Sequence, residues 1–163
     1  MFLEILLLFA VIHSSTNCQG GGNPTERIGS VTFRQTGRTV TIRGTVSGLT
    51  PGLHGFHVHE TGDLGNGCLA SGPHYNPTNM VHGGPMDTIR HVGDLGNINT
   101  PASGDTVIDI TDNVLSLTGP QSIVGRAIVI HADPDDLGRG NAPTSNTTGN
   151  SGARVACGVI RLI

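Results

Sequence analysis

The sequence has no lysine and no tryptophan, a single tyrosine, and only 13% charged residues. All nine basic residues are arginines, set against 12 acids for a net charge of -3. Nucleic-acid-binding surfaces carry a basic excess, so nucleic acid is excluded as the expected partner. Long apolar runs are also missing. Residues 5–12 form an unbroken apolar stretch of eight, where a membrane-spanning helix takes ~20, and no membrane span is expected. No segment shows the 3.6-residue apolar stripe of a packed helix, so a helical fold is not expected either.

Glycine and histidine are plentiful. Twenty-five glycines among 163 residues are roughly twice the usual share and follow no triplet period, which points to turns and long loops rather than to collagen. The length suits one domain with one core. Eight histidines, beside four phenylalanines and one tyrosine, are what composition alone leaves unexplained.

Residues 30–34 (Ser-Val-Thr-Phe-Arg) and 39–43 (Thr-Val-Thr-Ile-Arg) alternate polar and apolar around a turn at Gly37, the pattern of a hairpin with one wet face. Further strands are expected at 55–60, 107–110, 114–117, 123–131 and 154–163. Segments 61–90 and 132–153 lack strand patterning and are rich in Gly, Asn, Pro and Asp. Loops above ~12–15 residues are uncommon in compact domains unless functional or disordered. An antiparallel all-β sandwich or barrel carrying its site on two long loops is the expectation.

The apolar run at 5–12, followed by His13, Ser14, Ser15, Thr16 and Asn17, has the form of a secretory leader's core and its polar exit. Glu4 stands where such leaders carry positive charge, and the competing reading is a buried first strand over 7–13. The first reading makes 1–18 a signal peptide, 19–163 the domain and the protein secreted. The second leaves it cytoplasmic. Three cysteines allow at most one internal bridge. Cys18 lies near any cleavage point, whereas Cys68 and Cys157 lie deep in the domain, which favours pairing those two.

In Gly-Phe-His-Val-His-Glu, His57 and His59 share one face of a strand, with Val58 on the other. His74, His82, His91 and Asp94 follow at spacings of 8, 9 and 3, and His131 ends the apolar stretch from Ile123. Neutral imidazoles suit copper and zinc, and three histidines with one carboxylate make a tetrahedral zinc set. A lone histidine is more often a packing or surface residue, which is the reading for His13 and His54. Six histidines on a strand, a strand end and a glycine-rich loop argue for metal.

These residues also carry a family likeness. Residues 52–63 (Gly-Leu-His-Gly-Phe-His-Val-His-Glu-Thr-Gly-Asp), 72–77 (Gly-Pro-His-Tyr-Asn-Pro), 91–96 (His-Val-Gly-Asp-Leu-Gly) and 149–158 (Gly-Asn-Ser-Gly-Ala-Arg-Val-Ala-Cys-Gly), with His82, His131 and Asp135, resemble the copper/zinc superoxide dismutases over about 29–160. The resemblance implies an eight-stranded Greek-key barrel that converts superoxide to dioxygen and hydrogen peroxide, with one copper and one zinc per subunit. It places copper on His57, His59, His74 and His131, and zinc on His74, His82, His91 and Asp94. His74 would bridge the metals and take part in catalysis, Asp135 would link His57 to His82, and Arg154 would attract the anionic substrate. It also implies the Cys68–Cys157 bridge and a homodimer.

Two departures stand out. Pro143, Thr144 and Thr147 occupy positions where animal cytosolic members have two acids and a lysine, and Asn146-Thr147-Thr148 is an N-glycosylation sequon in the same loop. The rival functions are a non-catalytic copper chaperone or metal buffer on the same fold, and an inert structural sandwich. Against the chaperone, the chain has no Met-x-Cys-x-x-Cys motif and no length for a second metal-binding domain.

Overall fold

Residues 6–16 and 22–163 are described by a computed structural model, and almost all of their regular structure is antiparallel strand. The strands are β1 (Leu6–Ser14), β2 (Glu26–Thr36), β3 (Thr39–Val46), β4 (Gly52–His59), β5 (Asp94–Thr100), β6 (Thr106–Asp112), β7 (Ala127–His131), β8 (Arg154–Val159) and the two-residue β9 (Arg161–Leu162). A one-turn helix, α1 (Ser145–Thr148), interrupts the second long loop. The strands pair in the order β5-β4-β7-β8-β1-β2-β3-β6, with β9 on β1. The Thr100 and Thr106 hydroxyls lie 2.7 Å apart across the remaining gap between β5 and β6, so the all-β sheet curls into a nearly closed barrel.

Period-two alternation decides what lies inside. Leu8, Ala10 and Ile12 from β1, Val31 and Phe33 from β2, Val40 and Ile42 from β3, Phe56 and Val58 from β4, and Ile128 and Ile130 from β7 fill one core. The opposite face of β7 is buried too. Ala127 and Val129 pack with Cys68, Cys157 and the partly buried Leu64 beneath the first long loop, which is why this strand reads as continuous apolar sequence.

Residues 6–12 of the apolar run enter the barrel in β1. That strand pairs with β2 from Leu6 opposite Gln35 to Ser14 opposite Glu26, and with β8 at His13 opposite Cys157. A cleavage near residue 18 would take this strand away, and Cys18 and that boundary lie outside the described residues. Ile12 is fully buried, so Ile12→Ala is expected to lower stability by about 2–5 kcal/mol. Urea unfolding of the purified chain checks this, and an unchanged midpoint would contradict β1's place in the core.

Three expectations for the strands need correction. Residues 114–117 form no strand, because Asp112 Oδ2 accepts the backbone N–H groups of Val114 (2.9 Å) and Leu115 (2.6 Å) and turns the chain there. Leu115 and Leu117 reach the core from this loop. Within 123–131 only β7 is strand. A backbone bond from Arg126 N–H to Ile123 O closes a turn, and Gly125 has φ 81°. β5 lies outside the expected strands because Asp-Leu-Gly-Asn-Ile-Asn-Thr is poor in β-formers; it is nonetheless largely buried against β4.

Candidate metal centre

Strand parity builds the first half of the site. Phe56 and Val58 point into the core, so His57 and His59 point to the barrel's outer side, where residues 60–93 and 132–153 cover them. Register shifts fall at Gly55/His57 between β4 and β5 and at Ile130/His131 between β7 and β8. Such irregularities re-aim side chains beside functional sites. His74 is brought back to the strand by a bridge to His59.

Two four-residue clusters result. His57, His59, His74 and His131 form one, and His74, His82, His91 and Asp94 the other, with candidate ligand atoms within 4.8 Å of one another in each. All of the resemblance-implied ligands are therefore gathered, and all are buried.

Hydrogen bonds show which nitrogen of each ring remains for a cation. His57 Nε2 is 2.7 Å from Asp135 Oδ2, leaving Nδ1. His59 Nδ1 donates to Gly72 O (2.8 Å) and His131 Nδ1 to Gly152 O (3.1 Å), leaving both Nε2 atoms, which lie 3.2 Å apart. His74 Nδ1 faces Asp94 Oδ1 at 2.9 Å, leaving Nε2. In the second cluster, His91 Nδ1 lies 3.1 Å and His82 Nδ1 3.0 Å from the same Asp94 Oδ1. His82 Nδ1 has no well-formed hydrogen bond there, and neither His57 Nδ1 nor His74 Nε2 has a partner among the described residues.

A buried polar atom without a partner costs ~1–3 kcal/mol, and two at one place, His57 Nδ1 and His74 Nε2, call for an explanation. Cations supply it. The first cluster offers only imidazole nitrogens, which suits copper, and the second offers three imidazoles and a carboxylate, which suits tetrahedral zinc.

The electrostatics favour metal over protons in the first cluster. Burial, and then the neighbouring His74, push His57 and His59 well below the ordinary histidine value, and burial lowers His131 to about 4. Their rings are neutral near pH 7, as ligands must be. Burial also lowers His74, outweighing its hydrogen bond to Asp94. His82 differs, since burial alone would lower it but its hydrogen bond to Asp135 and the Asp94 carboxylate 3.0 Å away raise it to about 9. Burial would raise Asp94, and three histidine contacts instead hold it far below the carboxylate range.

Asp135 joins the clusters, with Oδ2 on His57 and Oδ1 2.7 Å from His82 Nε2. Arg154 lines a cavity of about 420 Å³ together with His59, His74 and His131. Its Nη1 donates to Cys68 O (3.0 Å) and Ser71 Oγ (2.9 Å). The Cys68–Cys157 disulfide is present and fastens the segment that carries both acceptors to β8. Thr144, Thr147 and Thr148 rim the cavity, and Arg154 is its one permanently charged lining residue among those described. His54 supports the frame, its ring nitrogens each 2.7 Å from a carbonyl, of His131 and of Thr50. His13 lies on β1, outside both clusters.

Sequence reading missed three supports. Asn97 and Asp135 bond reciprocally, Nδ2 to Asp135 O (2.9 Å) and Asp135 N–H to Oδ1 (2.7 Å). Arg90 is buried against Asp112 at 2.7 Å and donates to the carbonyls of Pro85, His91 and Val92, fixing the loop that carries His91. Gly149 leaves the space Asp135 occupies. None of the three has a signal in the sequence, since folding alone creates their contacts.

The family model described as copper/zinc superoxide dismutase matches residues 27–160. The extracellular superoxide dismutase [Cu-Zn] of Haemonchus contortus is 64% identical over 143 residues, 88% of this chain and 78% of that protein. The protein of the same name from Caenorhabditis elegans is 56% identical over 142 residues, 87% of this chain and 64% of its own length. The crystal structure of the clock protein EA4 superposes with a TM-score of 0.87 at 44% identity, covering 100% of this chain and 98% of that one.

Proposed function

The chain belongs to the copper/zinc superoxide dismutase family, and on that premise we propose that His57, His59, His74 and His131 hold copper while His74, His82, His91 and Asp94 hold zinc. The protein is a superoxide dismutase: two superoxide anions and two protons become dioxygen and hydrogen peroxide. The observation that carries the assignment is the pair of orphaned buried nitrogens, His57 Nδ1 and His74 Nε2, beside an Asp94 oxygen that three imidazoles face at 2.9, 3.0 and 3.1 Å. Bound copper supplies one-electron exchange in both directions, which zinc cannot, and zinc supplies fixed charge. Metal analysis of the purified chain tests the assignment; equimolar copper and zinc are expected, and failure to retain either contradicts it.

The chain's own residues do the rest. Arg154 draws the anion down the cavity and orients it, in a half-buried position where its charge is screened less than in water. Asp135 holds the His57 and His82 rings in the tautomers that leave Nδ1 free, as outer partners of ligating histidines do. His74 faces one cluster with Nδ1 and the other with Nε2. Nε2 is the atom at which a proton can be held beside the reacting oxygen.

Arg154→Leu is expected to lower kcat/KM ~10-fold or more and to flatten its dependence on ionic strength, while copper and zinc contents stay unchanged. Steering raises association rates ~10–10³-fold in general, superoxide dismutases included. Because threonines rim this cavity, Arg154→Lys should restore part of the salt dependence. Stopped-flow superoxide decay across a salt series reads both.

In this reading residues 6–14 stay with the domain as β1, the location rests on the relatives rather than on the apolar run, and the protein acts outside the cell. Two extracellular relatives and the disulfide support that location. Detection of the native chain only inside its cells would contradict it. The protein pairs as a homodimer through the face where Phe9, Val11, Leu64, Val159 and Leu162 surround an apolar groove. Sedimentation equilibrium at micromolar concentration should show a dimer that Leu162→Glu dissociates; a monomeric parent chain contradicts the pairing.

A further inference from the structure

We propose that Asn146 carries an N-linked oligosaccharide whose first sugars lie in the groove beside the zinc-side cluster, leaving the Arg154 cavity open. The inference rests on the extracellular reading above, since this modification is made in the secretory pathway. The sequon Asn146-Thr147-Thr148 has no proline at its middle position. Asn146 is exposed on α1, and its side-chain amide has no hydrogen-bond partner among the described residues. Its backbone is fixed, because its carbonyl accepts the His82 N–H at 2.9 Å.

The direction of the side chain follows from the two cavities that flank α1. Asn146 lines a groove of about 700 Å³ with Pro77, Met80, Val81 and Pro120, where the Arg126 guanidinium lies 3.7 Å over the Tyr75 ring. It does not line the Arg154 cavity, which Thr148 borders, while Thr147 lies between the two and lines both. The groove's volume is within the ~300–1,000 Å³ that holds small ligands, and two N-acetylhexosamines are of that size. Apolar sugar faces match Met80 and Val81, which are 44% and 56% exposed, and hydroxyl and acetamido groups match Arg126. The covalent tether makes the local sugar concentration high without any affinity of its own.

In the transfer, the Asn146 amide nitrogen attacks the anomeric carbon of a lipid-diphosphate-linked oligosaccharide. The C–N bond forms as the C–O bond to the diphosphate breaks; the amide loses a proton to a base, and the lipid diphosphate departs.

The test uses the full chain exported from a eukaryotic cell behind an added leader. Its intact mass should exceed that of the polypeptide, fall on treatment with a glycan-releasing amidase, stay high in Thr148→Ser and drop in Thr148→Ala and Asn146→Gln. Exported protein of polypeptide mass overturns the inference. Seating is read by peroxide oxidation of Met80, with the 94% exposed Met86 as internal reference. The Met80-to-Met86 oxidation ratio should fall roughly threefold or more in the glycosylated form, since exposure governs methionine oxidation. An unchanged ratio overturns the seating. Retention in cells of the chain with its own N-terminus overturns only the extracellular reading.

Discussion

His74→Ala is expected to reduce superoxide dismutation by at least ~100-fold and to lower copper and zinc contents together. Its ring is the one side chain common to both clusters. Losing even an outer partner of a ligand typically costs 10–100-fold in metal affinity or activity, and losing a shared ligand removes more. The loss also leaves Asp94 without its 2.9 Å partner, so the second cluster is disturbed as well as depleted. His91→Ala is the contrast, because His91 contacts only the zinc-side cluster. It should lower zinc content while copper stays bound. Metal content by plasma mass spectrometry, alongside superoxide decay, separates the two variants. A His74→Ala protein that loses one metal and keeps the other intact would contradict the shared role.

Gly149→Ala should lower zinc affinity by ~10–100-fold although residue 149 holds no metal. A Cβ there would overlap Asp135 Oδ1 and stand 2.6 Å from His82 Nε2, at a φ of 66° that already disfavours a side chain. Asp135 must then move, and it cannot keep both His57 and His82 in place. Strain at such a backbone position adds ~1–3 kcal/mol of destabilisation. Gly104→Ala is the control, since residue 104 also has positive φ (95°) but faces open space. It should cost ~1 kcal/mol and leave zinc binding as it was. Equal zinc affinities in the two variants would mean that Asp135's position does not depend on this gap. Zinc titration against a competing chelator reads the difference.

The parts of the molecule legible in the sequence are those governed by short-range periodicity. Val31, Phe33, Val40 and Ile42 declare their hairpin because one face is wet, and His57 and His59 declare a shared side because a strand alternates. The run at 5–12 was ambiguous because a leader core and a strand buried on one face are both apolar; its alternating burial, Leu8, Ala10 and Ile12 inward, appears only once β2 and β8 are beside it. β5 was hidden because its burial comes from neighbours rather than from its own β-propensity. The stretch at 114–117 misled because Asp112 captures two backbone amides that a strand would have spent on a neighbour. In the site, ligand identities could be carried over from family likeness. Asn97, Arg90 and Gly149 could not be seen, because each acts through a contact with a residue distant in sequence that only folding creates.

The most direct test of the central claim is stepwise loading of the metal-free chain while superoxide removal is followed. Zinc alone should bind and give no activity; equimolar copper added next should switch on rapid removal, with hydrogen peroxide formed at half the superoxide consumed. A chain that retains both metals at these histidines and still fails to accelerate superoxide decay, or one as active with zinc alone, would contradict the account.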